Sequence, residues 1–139
     1  MAKVELSLWI DRPPQEVFDY LTDLRRLGEW QPATQDVRVE DESHYTQLMR
    51  LMGKTIESQI EVTEREPPSR FAIRTRGGPV EFRVVHGLEE ERGGTRLRVD
   101  GEGEATGLFR LGGGVTVKAA EQELRRSFDR LKKVLESGR

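Results

Sequence analysis

The chain has 139 residues, 23 Lys plus Arg against 25 Asp plus Glu, no cysteine and two histidines. That length reads as one domain over residues 1–139, large enough to bury a core without disulfide or metal staples. The near balance of charge speaks against a nucleic-acid partner, and the missing cysteine removes disulfides, thiolate metal sites and Cys nucleophiles.

Val4, Leu6, Leu8 and Ile10 alternate with Glu5, Ser7 and Trp9, which predicts a strand over residues 3–11. Asp11 then stands where a helix cap belongs, ahead of Pro13, Pro14, Gln15 and Glu16. Val17, Phe18, Leu21, Leu24 and Leu27 have helical spacing, giving one helix over about 14–22 and a second short one to about 28. Trp30 falls in the connection that follows. From Ala33 the period returns to two, with Val37 and Val39 on one side. Strands follow at 44–52, 54–65, 70–77, 80–90 and 95–106, separated by Gly53-Lys54, Pro67-Pro68, Gly77-Gly78-Pro79 and Gly93-Gly94. Val117, Ala120, Leu124, Phe128, Leu131 and Leu135 then step by three or four, the stripe of a long helix over about 115–137, with Gly138 after it.

Short turns make the six later strands an antiparallel meander. The predicted fold is α+β, a seven-stranded curved antiparallel sheet wrapped around the C-terminal helix, with two short helices after strand 1. A helix is about 10 Å across, whereas seven strands span about 30 Å. The gap is filled by large side chains or left as a cavity. Small inward positions at Ser58, Gly101, Gly103 and Ala105 favour a cavity.

Strand parity and the helix stripe predict an apolar lining of Met49, Ile60, Phe71, Ile73, Phe82, Val84, Leu97, Val99, Leu124 and Phe128. Gln47 and His86 fall on the same faces and supply polar contacts; Tyr45, Ser58 and Thr75 are the other inward polar residues. Trp30, with Leu108 and Phe109, is expected at the cavity mouth, beside a joint at Gly112-Gly113-Gly114. His86 is the one inward group that titrates near neutral pH, and so the one candidate base. No GxSxG, HExxH, P-loop or GxGxxG pattern occurs, so no cofactor is expected. Two histidines far apart and no cysteine leave no expected metal site.

Four segments carry a resemblance: Ile10-Asp11-Arg12-Pro13-Pro14-Gln15-Glu16-Val17-Phe18, Trp30-Gln31-Pro32, Glu64-Arg65-Glu66-Pro67-Pro68-Ser69-Arg70-Phe71 and Gly93-Gly94-Thr95-Arg96-Leu97. The closing Leu131-Lys132-Lys133-Val134-Leu135-Glu136 fits as well. Together they resemble the START-related helix-grip (SRPBCC) superfamily, in its polyketide cyclase/dehydrase and lipid-transport branch. The resemblance implies a curved sheet gripping the last helix around a hydrophobic ligand cavity. It implies binding, or transport, of a small hydrophobic or amphipathic molecule such as a lipid or polyketide-like compound. The alternatives are a cyclase or dehydratase using His86 as base with Tyr45 or Gln47 orienting a carbonyl, and a protein-interaction module with a vestigial cavity. No run of about 18 apolar residues predicts a membrane span. The opening MAKVELSLWIDRPP lacks a signal peptide's apolar stretch, so a cytoplasmic location is expected.

Overall fold

A computed structural model describes residues 2–51, 53–78, 80–105 and 117–138. Strand β1 (Ala2–Ile10) leads into helix α1 (Pro14–Leu21), a 3-10 turn (Leu24–Arg26) and the short helix α2 (Leu27–Trp30). Strands β2 (Thr34–Asp41), β3 (His44–Leu51), β4 (Lys54–Glu66), β5 (Arg70–Gly77), β6 (Val80–Glu91) and β7 (Gly94–Ala105) follow, and helix α3 (Val117–Ser137) closes the chain. The strands form one seven-stranded antiparallel sheet in the order β1-β7-β6-β5-β4-β3-β2. The meander predicted from the turns is therefore present, with β1 added beside β7. Register shifts interrupt β2–β3 twice and β4–β5 twice. Such bulges bend the bulged strand and increase its twist, which helps the sheet curve around α3.

Two local expectations differ. Asp11 does not cap α1: the cap position is Pro13, with no side-chain cap bond. The Asp11 backbone N–H is instead taken by Glu136 Oε2 of α3, at 2.9 Å, and Pro within the first turn lowers the need for a cap because its missing N–H is one of the orphans. Trp30 is the last residue of α2 and not part of a connection. Its helical turn closes through Gln31 N–H to Leu27 O at 2.9 Å.

The core has two unequal ends. At one end α1 and α2 cover the sheet. Val17, Phe18 and Leu21 of α1 are buried there, and Phe18 meets Phe71 edge-to-face at 6.4 Å and 81°. Ile10, Ile60, Leu88, Leu97, Val99, Leu131 and Leu135 belong to the same buried cluster. At the other end, among the described residues, α3 and the end of α2 lie over the sheet, and the inward positions include the small Ser58, Gly101 and Gly103. The closest heavy atom to a Cβ built on Gly101 is Leu124 Cδ2, at 3.6 Å.

The C-terminal end of α3 is tied to β1 and the loop behind it. Lys132 Nζ donates to Trp9 O and to Glu136 Oε2, and Arg12 Nη2 donates to Glu136 O at 3.0 Å. On the outer face of α3, Glu121 and Arg125 form an i,i+4 ion pair at 3.1 Å. Within the described residues no helix is long and apolar enough to cross a membrane.

Candidate functional site

The thinly covered end of the sheet contains a cavity of about 250 Å³ beneath α3. β3 contributes Gln47, Met49 and Leu51; β4 contributes Ile56 and Ser58; β5 contributes Ile73. β6 adds Val80, Phe82, Val84 and His86, β7 adds Gly101, Glu102 and Gly103, and β1 adds Val4. The roof is Ala120, Glu123, Leu124, Ser127 and Phe128 of α3, with Trp30 and Gln31 at the end of α2. Period-two alternation explains the sheet side: β6 presents residues 80, 82, 84 and 86 to the helix while Glu81 and Arg83 are exposed to solvent.

Three aromatic rings meet where the cavity ends and the packed core begins. Phe128 stacks at a tilt on Trp30, with centroids 5.1 Å apart, and on His86, 5.7 Å apart. His86 also lies 5.5 Å from Phe71. The His86 ring is 3% exposed, and its Nδ1 is 2.8 Å from the carbonyl oxygen of Phe71. A carbonyl only accepts, so Nδ1 carries the proton and the neutral ring keeps Nε2 as an acceptor. Burial pushes the His86 pKa down to about 4, with the Phe71 carbonyl opposing part of that shift. The ring is therefore neutral at pH 7, and a weak base there.

The other polar groups are mostly engaged. Gln47 Nε2 donates to Gln31 Oε1 at 2.6 Å and to Thr34 Oγ1 at 2.7 Å. Glu123 accepts from the backbone N–H of Ala33 at 3.2 Å and pairs with Arg126 at 3.3 Å. Glu102 pairs with Lys3 at 3.7 Å. Trp30 is buried and unpaired. It is 3% exposed, and its indole Nε1 has no hydrogen-bond partner among the described residues. Among those residues no group of three or more His, Cys, Asp or Glu could hold a metal ion.

Of the residues expected to line the cavity or its mouth, nine border it, namely Trp30, Gln47, Met49, Ile73, Phe82, Val84, His86, Leu124 and Phe128, and the small inward Ser58, Gly101 and Gly103 border it too. Four do not. Ile60, Phe71, Leu97 and Val99 are 0 to 3% exposed within the packed cluster. They have the inward parity, but lie on the half of each strand that packs with the α1 and α2 end of the core. Tyr45 is likewise buried in that cluster and does not border the cavity. Thr75 Oγ1 accepts from the backbone N–H of Phe82 at 3.0 Å. Phe109, with Leu108 and the Gly112–Gly114 joint, lies outside the described residues.

Glu123 and Ser127 were missed because they are polar. Their spacing does carry the signal: 120, 123, 124, 127, 128 and 131 form one broad helical arc. Ile56 shares the parity of Ser58, and Val4 that of Leu6. Gln31 and Leu51 were also missed, as were Val80 and Ala120. Glu102 has the opposite parity on β7, and nothing in the spacing signals its place.

The comparisons agree with this architecture. The family described as polyketide cyclase / dehydrase and lipid transport matches residues 1–136. The protein Rv1546 of Mycobacterium tuberculosis is 27% identical over 134 residues, 91% of this chain and 94% of that one. The crystal structure of TTHA0849 from Thermus thermophilus superposes with a TM-score of 0.83 at 18% identity, covering 99% of this chain and 100% of that one. A START superfamily protein from Mycobacterium smegmatis superposes with a TM-score of 0.72 at 14% identity, covering 97% and 94%.

Proposed function

Because the chain belongs to the polyketide cyclase/dehydrase and lipid transport family, we propose that it binds a small hydrophobic or amphipathic molecule in the cavity beneath α3. The observation that carries this reading is the cavity itself, about 250 Å³ with a mostly apolar wall. Such a wall with a few placed polar groups is the usual form of a small-molecule site. A dry cavity of about 150 Å³ lined by Leu, Ile and Phe already takes up benzene, so this one has room for a compound of one or two rings. Catalysis has weaker support: His86 is a poor base at neutral pH, and Gln47 already spends both amide hydrogens within the protein.

The neutral probe N-phenyl-1-naphthylamine tests the reading. The folded protein should bind it at about one equivalent, with a rise in fluorescence. Gly101→Leu fills the space in front of Leu124 and should abolish that rise while unfolding stays cooperative. Equal binding by the parent and Gly101→Leu would remove the cavity as the site. Native mass spectrometry after gentle purification should also show a retained small adduct.

A further inference from the structure

Building on the proposed binding of a small apolar molecule, we infer that His86 selects what that molecule carries at its inner end. The ring Nε2 accepts a hydrogen bond from an uncharged donor on a compound of one or two rings, in its simplest form a phenolic hydroxyl.

Four observations support it. First, the proton on the ring is placed. Nδ1 lies 2.8 Å from Phe71 O, and a carbonyl only accepts, so Nδ1 carries the hydrogen and Nε2 a lone pair. Burial keeps the ring from taking a second proton at pH 7. Second, Nε2 is both unpaired and open. Among the described residues His86 bonds only through Nδ1, and the one buried side-chain nitrogen or oxygen that lacks a partner and is also sealed is Trp30 Nε1. His86 borders the cavity. The two ring nitrogens diverge, so with Nδ1 turned back to the β5 backbone, Nε2 is turned away from it. Third, the ring is held. Phe71 lies 5.5 Å from it and Phe128 5.7 Å, so the acceptor is in place before a ligand arrives. Fourth, the wall offers acceptors and no free charge. Gln47 spends both amide hydrogens on Gln31 and Thr34, which leaves Oε1 as a second acceptor. Glu102 and Glu123 already pair with Lys3 and Arg126, and no Lys or Arg borders the cavity among the described residues. An ammonium group would have to displace one of those pairs, and a carboxylate would be desolvated without a counter-charge. The group that fits is therefore a neutral donor.

Three probes at pH 7 decide the matter by calorimetry: 2-naphthol, the near-isosteric 2-methylnaphthalene, and the cation of 2-naphthylmethylamine. The variant is His86→Asn, whose amide nitrogen stands about where Nδ1 does and keeps the bond to Phe71 O, with nothing in place of Nε2. The ratio of naphthol to methylnaphthalene affinity should fall about three- to tenfold from the parent to the variant, the worth of one neutral hydrogen bond. Packing lost with the imidazole affects both probes and cancels in that ratio. The cation should bind the parent more than tenfold less tightly than naphthol. A second readout needs no variant at the site. In the long-range 1H–15N spectrum of the two imidazoles, free His86 should show the Nδ1–H form. Its Nε2 resonance should move upfield with naphthol and stay in place with methylnaphthalene. The His44 resonances, assigned through their loss in His44→Gln, should stay in place with both. If both neutral probes bind, but with the same ratio in both proteins and no Nε2 shift, the acceptor role is wrong and the binding reading survives. An Nε2–H tautomer in the free protein overturns the role as well. Cation binding as tight as that of naphthol overturns the neutral-donor argument. If no probe binds at all, the binding reading falls and takes the His86 role with it. Where ratio and shift disagree, or His86→Asn fails to fold, the shift in the parent decides alone.

Discussion

Leu124 and Leu131 lie on the same face of α3, about 10 Å apart along its axis, yet truncating them should have very different consequences. Leu131 is 0% exposed, packs within the buried cluster and does not border the cavity beneath α3. Leu131→Ala removes buried methyl groups and leaves a closed void, so the loss should be about 3–4 kcal/mol, inside the range for leucine truncations in rigid cores. Leu124 is only partly buried, and its side chain already borders the cavity. Leu124→Ala forfeits roughly half of a leucine's transfer free energy, about 1 kcal/mol, and the space it vacates merges with space that exists already. Urea unfolding followed by circular dichroism measures both, with the shift in midpoint converted at an unchanged slope. Losses equal to within about 0.5 kcal/mol would mean that α3 is packed alike along its length. The cavity would then not exist in solution.

Acid should weaken the fold through His86. Its pKa falls from 6.5 to about 4 on folding, so between those values the unfolded chain takes up a proton that the folded one refuses. Stability from this group is complete above about pH 6.5 and falls as the pH drops, by about 3 kcal/mol at pH 4 and below. His86→Gln should flatten that part of the curve, and an unchanged pH profile would refute the burial argument. Gly94→Ala should cost more than about 2 kcal/mol, as its Cβ would lie 2.4 Å from Ile10 O and 2.8 Å from the Trp9 ring. Gly87→Ala meets nothing within 4 Å and should stay within about 0.5 kcal/mol of the parent; equal effects would discredit the β1–β7 packing. Lys132→Met keeps an unbranched apolar stem but drops the bonds to Trp9 O and Glu136 and the charge over the Trp9 ring. We expect a loss of about 1 kcal/mol in thermal unfolding, and no loss would show that the tie contributes nothing in solution.

Period-two alternation was enough to read which side of each strand faces the helix, because charged residues between the apolar ones cannot turn inward unpaired. That is why Phe82, Val84 and His86 could be assigned to one face. Parity contains no information about position along the strand, and this is where the lining expectation failed. Leu97, Val99 and Gly101 share a face of β7, yet the first two are sealed within the packed core and the third opens onto the cavity. What separates them is where the helices pack on the sheet, a tertiary fact with no local signature. Phe71 shows the same limit, since its partner Phe18 is 53 positions away in the chain. The polar members of the α3 arc, Glu123 and Ser127, were legible from spacing but hidden by a search for apolar residues. The indole of Trp30 could be placed near the cavity from the sequence, but its missing partner could not.

The ties at the end of α3 make that helix a lever with a fixed hinge. Lys132, Glu136 and Arg12 fasten it to β1 and the Asp11 backbone, while Ala120 and Leu124 sit over empty volume. Ala120 lies about 22 Å from Leu135 along the axis, so a tilt of about 5° at the hinge lifts the far end by about 2 Å. That displacement is of the order of a methyl group's thickness, and it stretches the bond from the Ala33 backbone N–H to Glu123 Oε2, 3.2 Å long at rest. Hydrogen exchange along α3 should therefore be graded, slowest near Leu131 and fastest near Ala120, with a ligand slowing the fast end most. The same molecule that fills the void would act as a wedge's opposite, a weight that holds the lever down.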